Sequence, residues 1–556
     1  MKRRPWRWLT CAALAATLAT AIPASVGAQD AEPQLKHHQK STGGTTPIQH
    51  LVVIFQENIS FDHYFGTYPN ATNPPDETPF VGSPDTPPVN GLTGLLLTNN
   101  PNLNDANGTG ATNPFRLDPS QAATSDQDHD YTPEQMAFDN GLMDLFPANV
   151  GAAGTPPSPP PPIVETTGLT LGYYDGNTVT AYWNYAQHFA MSDNSFGSTF
   201  GPSTVGAINL ISGQTNDVTT DNNPGGATIA DGNGGLTDIS DADPVGDSCS
   251  TTTGETMQFG GQNIGNLLNA ADITWGWFEG GFNLSLTNTN GTTGCSRSTT
   301  SSITKDKKDD YIPHHEPFQY YSSTANPTHI RPASVSAIGT SADTGDTKAN
   351  HQYDSDDFFT ALAAGNFPAV VFLKAPGFQD GHAGYSDPLD EQTWVVDTIN
   401  TIEQSQEWDS TAIVIAYDDS DGWYDHQMSP IVNQSKTSAD ALTGTGECGN
   451  GANALPGPAS GTTPVQGRCG FGPRLPMLVI SPYSKVNYVD HSLTNQASII
   501  RFIEDNWLSG KRLGGGSFDA SSNSITGMLD FNAKKLNPPL YLDNSTGVVL
   551  KKPPKT

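Results

Sequence analysis

The sequence is poor in basic residues and in cysteine, and each shortage excludes a class of function. It has 26 Lys and Arg residues against 57 Asp and Glu residues, for a formal net charge of −31. Because a surface this acidic repels polyanions, we expect no nucleic acid and no anionic membrane as a bulk electrostatic partner. The five cysteines include no C-x-x-C pair, which argues against a thiolate zinc site.

Long apolar runs are also scarce, and the longest lies at the N-terminus. Arg3-Arg4 belong to a basic start, residues 9–22 are apolar, and residues 26–28 form a small-residue cleavage site. This pattern predicts a secretory signal peptide over 1–28 and therefore a secreted protein, extracellular or periplasmic. The arginine pair leaves both Sec and twin-arginine export open. No later run is long and apolar enough to span a bilayer.

Four cysteines remain once the predicted signal peptide is removed. An even number of cysteines in an exported protein favours disulfides. Proximity in the sequence favours the pairs Cys249–Cys295 and Cys448–Cys469.

The chain lacks internal repeats but is rich in glycine and proline, with 56 and 43 residues. Its 556 residues are enough for one large domain or for two ordinary ones, of which we favour one. We interpret 29–46 as a disordered polar segment, 47–545 as one domain with long loop insertions, and 546–556 as a C-terminal tail.

Short apolar runs alternate with helical patterns. The runs predict strands buried on both faces, at 51–55, 273–278, 369–373, 412–417 and 477–480. The helical patterns lie at 133–146, 356–364, 391–408 and 496–507. This alternation predicts an α/β fold, specifically an α/β/α sandwich with a mostly parallel central sheet.

Acidic residues follow the predicted strands. Glu57-Asn58 follow the first run, Asp380 and His382 the third, and Asp418-Asp419 the fourth. Ligands bind outside the carboxyl ends of such strands, so these side chains meet at one edge. Their oxygen atoms predict a site for one divalent cation, with Ca²⁺, Mg²⁺ or Mn²⁺ favoured over Zn²⁺. The alternative is that each acid caps a helix or forms a turn.

A hydroxyl pair stands at a predicted helix start. Ser203-Thr204 follow the turn residues Phe200-Gly201-Pro202 and precede an apolar helical run. A helix N-terminus offers free N–H groups and a positive dipole end, which suit a nucleophile that attacks a phosphate. The alternative is that Ser203 only caps the helix.

Histidines supply a further indication. His129 precedes a predicted helix, His314-His315 form a pair in a proline-bounded loop, and His382 follows a strand. Imidazoles can hold phosphate oxygens or protonate a leaving alkoxide, although a lone histidine is more often structural.

These motifs resemble a known family. ENISFDHYFG at 57–66 resembles the E-N-x-S-F-D-x-x-F-G signature of the bacterial phosphoesterase family, which includes phospholipases C and acid phosphatase A. Further similar segments follow in order, namely FGPST at 200–204, HHEPF at 314–318, DGHAGYSDP at 380–388, IAYDDSDGWYDH at 415–426, RLPMLVISPYSK at 474–485 and SIIRFIEDNW at 498–507.

The resemblance implies an alkaline-phosphatase-like fold and a metal-dependent phosphoester hydrolase, with 47–545 as its catalytic domain. It implies Ser203 as the nucleophile, with Thr204 as the second candidate. The implied metal ligands are Glu57, Asn58, Ser203, Asp418 and Asp419. The histidines implied to surround the phosphate are His129, His314, His315 and His382.

Three departures from the family pattern concern the substrate. Relatives carry D-E-x-G-G where this chain has DDSDG at 418–422, Asp-His where it has Asn495-Gln496, and Pro-Asn-Arg where it has Val205-Gly206-Ala207. The head group therefore stays open between a phospholipid, with transient membrane-surface contact, and a soluble phosphomonoester. A non-catalytic binding protein on the same fold is a third hypothesis, against which the intact motifs argue.

A choline head group needs an aromatic cage. The sequence offers candidates for one, although packing is the favoured interpretation of these side chains: Tyr173, Tyr174, Trp183, Trp275 and Trp277.

Overall fold

The structure is a computed structural model that describes residues 43–151, 167–449 and 465–554. The predicted signal peptide, 1–28, lies outside the described residues, as does most of the polar segment 29–46. Within the described part of the chain, none of the helices has the length and apolar character needed to span a membrane.

The centre of the molecule is a mixed sheet. Its eight strands are β1 His50–Gln56, β2 Ala190–Ser192, β3 Trp275–Glu279, β4 Gln352–Asp354, β5 Val370–Lys374, β6 Thr411–Tyr417, β7 Met477–Ile480 and β8 Tyr488–Asp490. They are hydrogen-bonded in the order β4-β3-β5-β1-β6-β7-β2-β8. Strand β7 is antiparallel to β6 and β2, and the other neighbours are parallel. The prediction of a mostly parallel sheet is confirmed.

Helices cover both faces of this sheet. They are α1 Phe61–Phe65, α2 Leu95–Thr98, α3 Tyr131–Phe138, α4 Phe146–Asn149, α5 Thr180–His188, α6 Ser203–Ser212, α7 Ile264–Ala270, α8 Ser355–Ala363, α9 Pro388–Glu403 and α10 Ala497–Trp507. Helices α5, α8 and α9 pack on one face, and α6, α7 and α10 on the other. The predicted α/β/α sandwich is confirmed.

Smaller sheets lie outside the sandwich. One has five strands, in the order Thr228–Ala230, Leu236–Asp238, Asn216–Asn222, Thr256–Phe259 and Asp243–Pro244. Three have two strands each, pairing Phe115–Leu117 with Gly172–Tyr174, Ser195–Phe196 with Thr494–Asn495, and Ser298–Thr300 with Lys307–Asp309.

Strand β1 shows why the apolar runs form the core. All seven of its residues are buried. Val52 and Ile54 join the apolar core on one face, while Leu51 and Val53 join the core on the other. Burying each such side chain contributes about 1.5–3 kcal/mol. A run without polar alternation therefore suits a central strand that is covered on both sides.

Two predicted helices are wrong in extent. The helix predicted over 133–146 ends at Phe138, because Asp139 and Asn140 adopt left-handed φ values of 39° and 54°. Helix α9 likewise ends before the close of the predicted 391–408. The other predicted strands and helices agree with the structure to within two residues at each end.

Two disulfides link the loops outside the sheet. They join Cys249 to Cys295 and Cys448 to Cys469, with Cα–Cα distances of 5.2 Å and 5.9 Å. Both pairings predicted from proximity are confirmed.

Candidate active site

The carboxyl ends of β1 and β6 place four predicted ligands side by side. The two strands are paired along their whole length, with Gln56 opposite Tyr417, so the residues that follow them emerge together. The backbone N–H of Asn58 donates to Asp418 Oδ1 at 3.0 Å. Asn58 itself has a φ of 60°, which turns the chain sharply after the strand.

Helix α6 brings Ser203 to the same point. Ser203 Oγ lies 3.1 Å from Glu57 Oε2, 3.1 Å from Asp419 Oδ2 and 3.5 Å from Asn58 Oδ1. We call Glu57, Asn58, Ser203, Asp418 and Asp419 the oxygen centre. All five side chains are buried. The structure thus brings together every metal ligand that the resemblance implies.

Ser203 does not act as a helix cap. It is the first residue of α6, and no side chain forms a cap hydrogen bond at that end of the helix. The N–H of Thr204 is bound by Asp241 Oδ1 at 2.9 Å. A β-carbon at Gly206 would meet the carbonyl oxygen of Asp418 at 2.2 Å, so glycine permits the close approach of α6 to β6. The capping interpretation of Ser203 is wrong.

The oxygen centre holds more acid than base. Lys374, at the end of β5, forms an ion pair with Glu57 Oε1 and lies 3.8 Å from Asp418 Oδ2. Burial opposes ionisation of Glu57, but His315 and Lys374 hold its pKa well below the ordinary value. Burial, then Glu57 and Asp419, raise the pKa of Asp418 well above its ordinary value. Burial raises the pKa of Asp419 to about 7.

The donor set of the oxygen centre fits a hard divalent cation. Asp418 Oδ2 is buried and accepts no hydrogen bond from the described residues. One polar atom of the Asn58 amide lies 2.7 Å from Glu57 Oε2 and 3.2 Å from Asp418 Oδ1. With nitrogen in that position the amide donates two hydrogen bonds, whereas with oxygen there it needs a cation. Clustered carboxylate and amide oxygens are ligands that Ca²⁺, Mg²⁺ and Mn²⁺ accept.

Two predicted histidines contact the oxygen centre directly. His315 Nδ1 lies 3.4 Å from Glu57 Oε1, and His129 Nε2 lies 3.4 Å from the Asn58 amide. The other two stand behind them. His314 packs on His315 with 4.5 Å between ring centroids, and His382 packs on His129 at 6.0 Å.

The surroundings shift the pKa values of the four imidazoles in different directions. Burial lowers the pKa of His129, but Asp419 and Asp421 outweigh it and raise that pKa well above the ordinary value. The pKa of His314 is raised in the same way, against burial, by Asp241 and Asp243. Burial dominates at His315 and His382 and lowers both pKa values. The surroundings thus raise the pKa of two of these imidazoles and lower the pKa of the other two.

The sequence matches a family model over most of its length. The model is described as the phosphoesterase family, and it matches residues 48–508. The chain belongs to this phosphoesterase family. The resemblance drawn from the signature segments is therefore confirmed.

Similar proteins carry phospholipase C names. The non-hemolytic phospholipase C of Pseudomonas aeruginosa is 24% identical, covering 90% of this chain and 59% of that protein. Phospholipase C B of Mycobacterium tuberculosis is 22% identical, covering 83% of this chain and 73% of its own length. This phosphoesterase therefore spans less than two thirds of the length of the Pseudomonas relative. An alkaline phosphatase superfamily protein of Vibrio parahaemolyticus matches at 12% identity with a TM-score of 0.26, covering 82% of this chain and 91% of its own, which is too low to carry an argument.

The signature segments at 57–66 and 415–426 of the phosphoesterase each end in residues that support the fold. Ser60 caps α1 by accepting a hydrogen bond from His63 N. Asp62 and Asp425 both bind the Arg474 guanidinium. The ring of His63 stacks on Trp423 with 3.9 Å between centroids, and burial lowers the pKa of His63 to about 3. His63 is therefore a neutral packing residue.

Sequence reasoning gave no role to two polar residues that contact this site. Lys374 partly balances the negative charge of the oxygen centre. Its position as the last residue of a buried strand could have indicated a charged partner at the site. Glu134 is buried on α3, where it accepts hydrogen bonds from Ser420 Oγ at 2.7 Å and Gly201 N at 3.2 Å. Glu134 thus links the turn before Ser203 to the segment that carries Asp418 and Asp419. Burial raises the pKa of Glu134 to about 8.

The aromatic residues considered for a choline cage pack in the interior instead. Trp183, Trp275 and Trp277 are fully buried, and Tyr174 is 1% exposed. The packing interpretation is confirmed for these four side chains. Tyr173 is only partly buried.

Proposed function

We propose that this chain is a secreted, divalent-metal-dependent phosphoric ester hydrolase of the phospholipase C type, which cleaves the glycerol–phosphate ester of phospholipids through Ser203. The observation that supports it best is the position of Ser203 Oγ, 3.1 Å from both Glu57 and Asp419 at a helix start. One divalent cation, Ca²⁺, Mg²⁺ or Mn²⁺ in preference to Zn²⁺, would be held by the oxygen centre. When bound it lowers the pKa of a ligating hydroxyl and offsets phosphoryl charge.

The residues of the chain supply the remaining chemistry. Ser203 Oγ attacks phosphorus in line, and its proton passes to a carboxylate of the oxygen centre. The ester bond to the glycerol oxygen breaks, and a cationic imidazole, His129 or His314, protonates that oxygen. The positive end of the α6 dipole favours the negative phosphoryl group.

The second half of the reaction restores the serine. A water molecule loses a proton to a neutral imidazole, His315 or His382, and attacks the phosphoserine. The phosphorylated head group leaves, and Ser203 Oγ regains a proton. The divided charge preference of the four histidines therefore suits a reaction that needs both an acid and a base.

The wider setting is part of the same proposal. We assign 1–28 as a signal peptide, 29–46 as a disordered segment, 47–545 as the catalytic domain and 546–556 as the tail. The two disulfides support an oxidising compartment. The substrate partner is a phospholipid reached through transient membrane-surface contact.

A secreted acid phosphatase that acts on soluble phosphomonoesters is the second candidate. The burial of the tryptophans at 183, 275 and 277 favours it, because these rings cannot enclose a choline group.

One set of assays separates these functions. The purified protein is given phosphatidylcholine and an aryl phosphate monoester, each with and without a chelator. We expect lipid turnover that the chelator abolishes. Turnover of the monoester alone would establish the phosphatase, and activity on neither substrate would contradict both enzyme functions.

Ser203→Ala tests the nucleophile. We expect it to lower turnover by at least about 10³-fold, because removal of a nucleophile disables the whole catalytic unit. Thr204→Ala is the matched control, since it removes the neighbouring buried hydroxyl, and we expect it to retain most activity. Near-normal turnover in Ser203→Ala would transfer the role to Thr204 or exclude the covalent mechanism. Circular dichroism checks that both variants fold.

A further inference from the structure

We propose that an exposed group of leucines beside the active site docks on the surface of a zwitterionic phospholipid bilayer. The group consists of Leu95, Leu96, Leu97, Leu103 and Leu142, and we call it the leucine face. Leu95 is 73% exposed, Leu142 is 62% exposed and Leu103 is 49% exposed, while Leu96 and Leu97 are half-buried. Single exposed leucines are ordinary on a protein surface, but a group of neighbours marks a binding surface.

Helix α2 supplies three of the five leucines. Its sequence is LLLT, and none of its residues is buried. Four residues are too few for a helix to be stable through its own hydrogen bonds, so α2 depends on its contacts. Leu96 and Leu97 pack on an apolar cluster that includes Tyr131 and Phe146. This cluster holds α2 on the protein, while Leu95 projects into solvent.

The loop that follows α2 brings the remaining two leucines together. Asn102 and Asn104, on either side of Leu103, donate through their side-chain amides to the carbonyls of the two residues that follow Leu142. The two distances are 2.9 Å and 2.8 Å. Leu103 and Leu142 are therefore neighbours on the surface, although 39 positions separate them in the chain.

The segments that carry the leucine face border the active site. Asn100 Nδ2 donates to Leu96 O at 2.9 Å and to the hydroxyl of Tyr424 at 3.1 Å. Tyr424 belongs to the signature segment that carries Asp418-Asp419. His129 lies two residues before α3, whose first residue belongs to the apolar cluster beneath α2. A bilayer on the leucine face is therefore close to the proposed catalytic residues.

The charge around the leucine face favours a zwitterionic surface over an anionic one. Residues 92–150 contain eight acidic residues and a single arginine, Arg116, which already forms ion pairs with two carboxylates. Asp105 and Asp126 are exposed. Carboxylates repel anionic lipids, but they attract the ammonium groups that a phosphatidylcholine bilayer presents at its surface. An apolar centre with an acidic surround is thus complementary to such a bilayer.

The choice of a lipid partner rests on the proposed function. A phospholipase C acts on a lipid whose acyl chains stay in the bilayer, so the protein has to contact that bilayer beside its active site. Apolar side chains that enter the interface supply binding energy in proportion to the area they bury. Binding to vesicles does not require turnover, so it can be measured separately from the reaction.

Sedimentation with phosphatidylcholine vesicles tests the docking surface. We expect the wild-type protein to bind, with little dependence on salt, and Leu95→Ser/Leu142→Ser to lower the partition coefficient at least about tenfold. Val486→Ser/Val549→Ser is the matched control, because these valines are 62% and 42% exposed outside the leucine face. It should bind as the wild type does. Unchanged binding of the leucine variant, or no binding of the wild type, would overturn the proposal.

Lipid charge provides a second test of the same surface. We expect phosphatidylserine vesicles to bind the wild-type protein more weakly than phosphatidylcholine vesicles do. Tighter binding to phosphatidylserine that salt abolishes would place the contact on basic residues elsewhere and overturn the leucine face. A wild-type dimer in sedimentation velocity that the leucine variant abolishes would assign the face to a second copy of the chain. A fall in the melting temperature of the leucine variant, with vesicle binding unchanged, would assign it to internal packing.

Turnover separates failure of the docking surface from failure of the proposed function. A short-chain phosphatidylcholine, kept below its micelle concentration, should be cleaved equally by the wild type and the leucine variant. Only the wild type and the valine control should cleave long-chain lipid in vesicles at the full rate. An equal loss on both substrates in the leucine variant would overturn a docking role. Vesicle binding without turnover of either lipid would contradict the phospholipase function and leave the leucine face in place.

Discussion

The signature segments at 57–66 and 415–426 of this phosphoesterase contact each other at two places. The two places differ in how the charge of their buried carboxylates is balanced. At the first, Asn58 contacts Asp418, and Ser203 Oγ lies 3.1 Å from both Glu57 and Asp419 in the oxygen centre. At the second, further along both segments, Asp62 contacts His426 and Arg474, and Arg474 also contacts Asp425. We call the second group the arginine cluster. Both groups bury carboxylates, but only the arginine cluster pairs each of its carboxylates directly with a basic side chain.

Arg474 satisfies the carboxylates of the arginine cluster almost completely. Its Nη2 lies 3.1 Å from Asp62 Oδ1, and its Nε lies 3.0 Å from Asp425 Oδ2. Its Nη1 donates to the carbonyls of Asn90 and Asp193. The planar guanidinium suits such a set of acceptors. Although Asp62, Asp425 and His426 have the spacing of metal ligands, the arginine already supplies the positive charge.

Lys374 does not satisfy the carboxylates of the oxygen centre in this way. Its ammonium is a single point charge that pairs with Glu57 and lies 3.8 Å from Asp418. Asp418 Oδ2 stays without a hydrogen bond from the described residues. The comparison indicates that an incomplete internal charge balance, rather than the mere presence of carboxylates, separates a candidate cation site from a structural cluster.

Breaking the arginine cluster should give the largest loss of stability. Arg474→Met leaves Asp62 and Asp425 buried without their partner, so we expect a loss of about 3–5 kcal/mol in the free energy of unfolding. Urea denaturation measures it. Arg501→Met is the control, because its pair with Asp505 is partly exposed and is worth about 0–1 kcal/mol. Equal losses in the two variants would refute the comparison.

Removing Lys374 should give a smaller loss that depends on metal. We expect Lys374→Met to lose about 3 kcal/mol in the presence of a chelator, because Glu57 and Asp418 then lack a cation. Excess Mg²⁺ or Mn²⁺ should recover much of that loss, since an ion that binds only the folded state stabilises it. The melting temperature, with and without chelator, measures the recovery. Metal should not rescue Arg474→Met, and rescue of both variants would remove the distinction between the clusters.

The smallest effect should be a pH dependence within the arginine cluster. Burial lowers the pKa of His426, but Asp62, which accepts its Nδ1–H at 2.6 Å, outweighs burial and raises that pKa above 6.5. A raised pKa means that the stabilisation is fully present below pH 6.5 and is lost as the pH rises through the folded-state value. We expect His426→Asn to cost about 1.5 kcal/mol at pH 5.5 and less at pH 8.

The difference in unfolding free energy between the wild type and His426→Asn is the quantity to follow in urea denaturation, because Asp62, Asp425 and Arg474 face position 426 in both proteins. Asp425 also titrates, since burial raises its pKa to about 6. A difference that grows from pH 5.5 to pH 8 would contradict the assignment of a charged His426.

Much of the central fold follows from local sequence. The five apolar runs became five of the eight strands of the central sheet, because a run without polar alternation can only be buried on both faces. Strands β2, β4 and β8 have three residues each, too few for any periodicity. The five-stranded sheet outside the sandwich was not predicted either, because its strand Asn216–Asn222 has the sequence NDVTTDN, which has no apolar pattern.

The candidate site followed from sequence only in part. Signature motifs and strand ends located Glu57, Asn58 and Asp418-Asp419, and a helix start located Ser203. The roles of these residues remain predictions. Asp126, His129, His382 and Asp421 lie close together although they come from three distant segments of the chain, so no local pattern contained this group.

The sequence by itself determined five of the buried strands, the start of α6 and the disulfide pairs, because these depend on side chains that are near in the chain or repeat with a fixed period. It did not determine which acids would receive a partner. Asp62 lies in α1, after β1, and Asp418 directly follows β6, and both belong to the signature segments. Only the tertiary structure gave the first an arginine and left the second with an unbound oxygen, because electrostatic balance is set by whichever residues folding brings within a few ångströms.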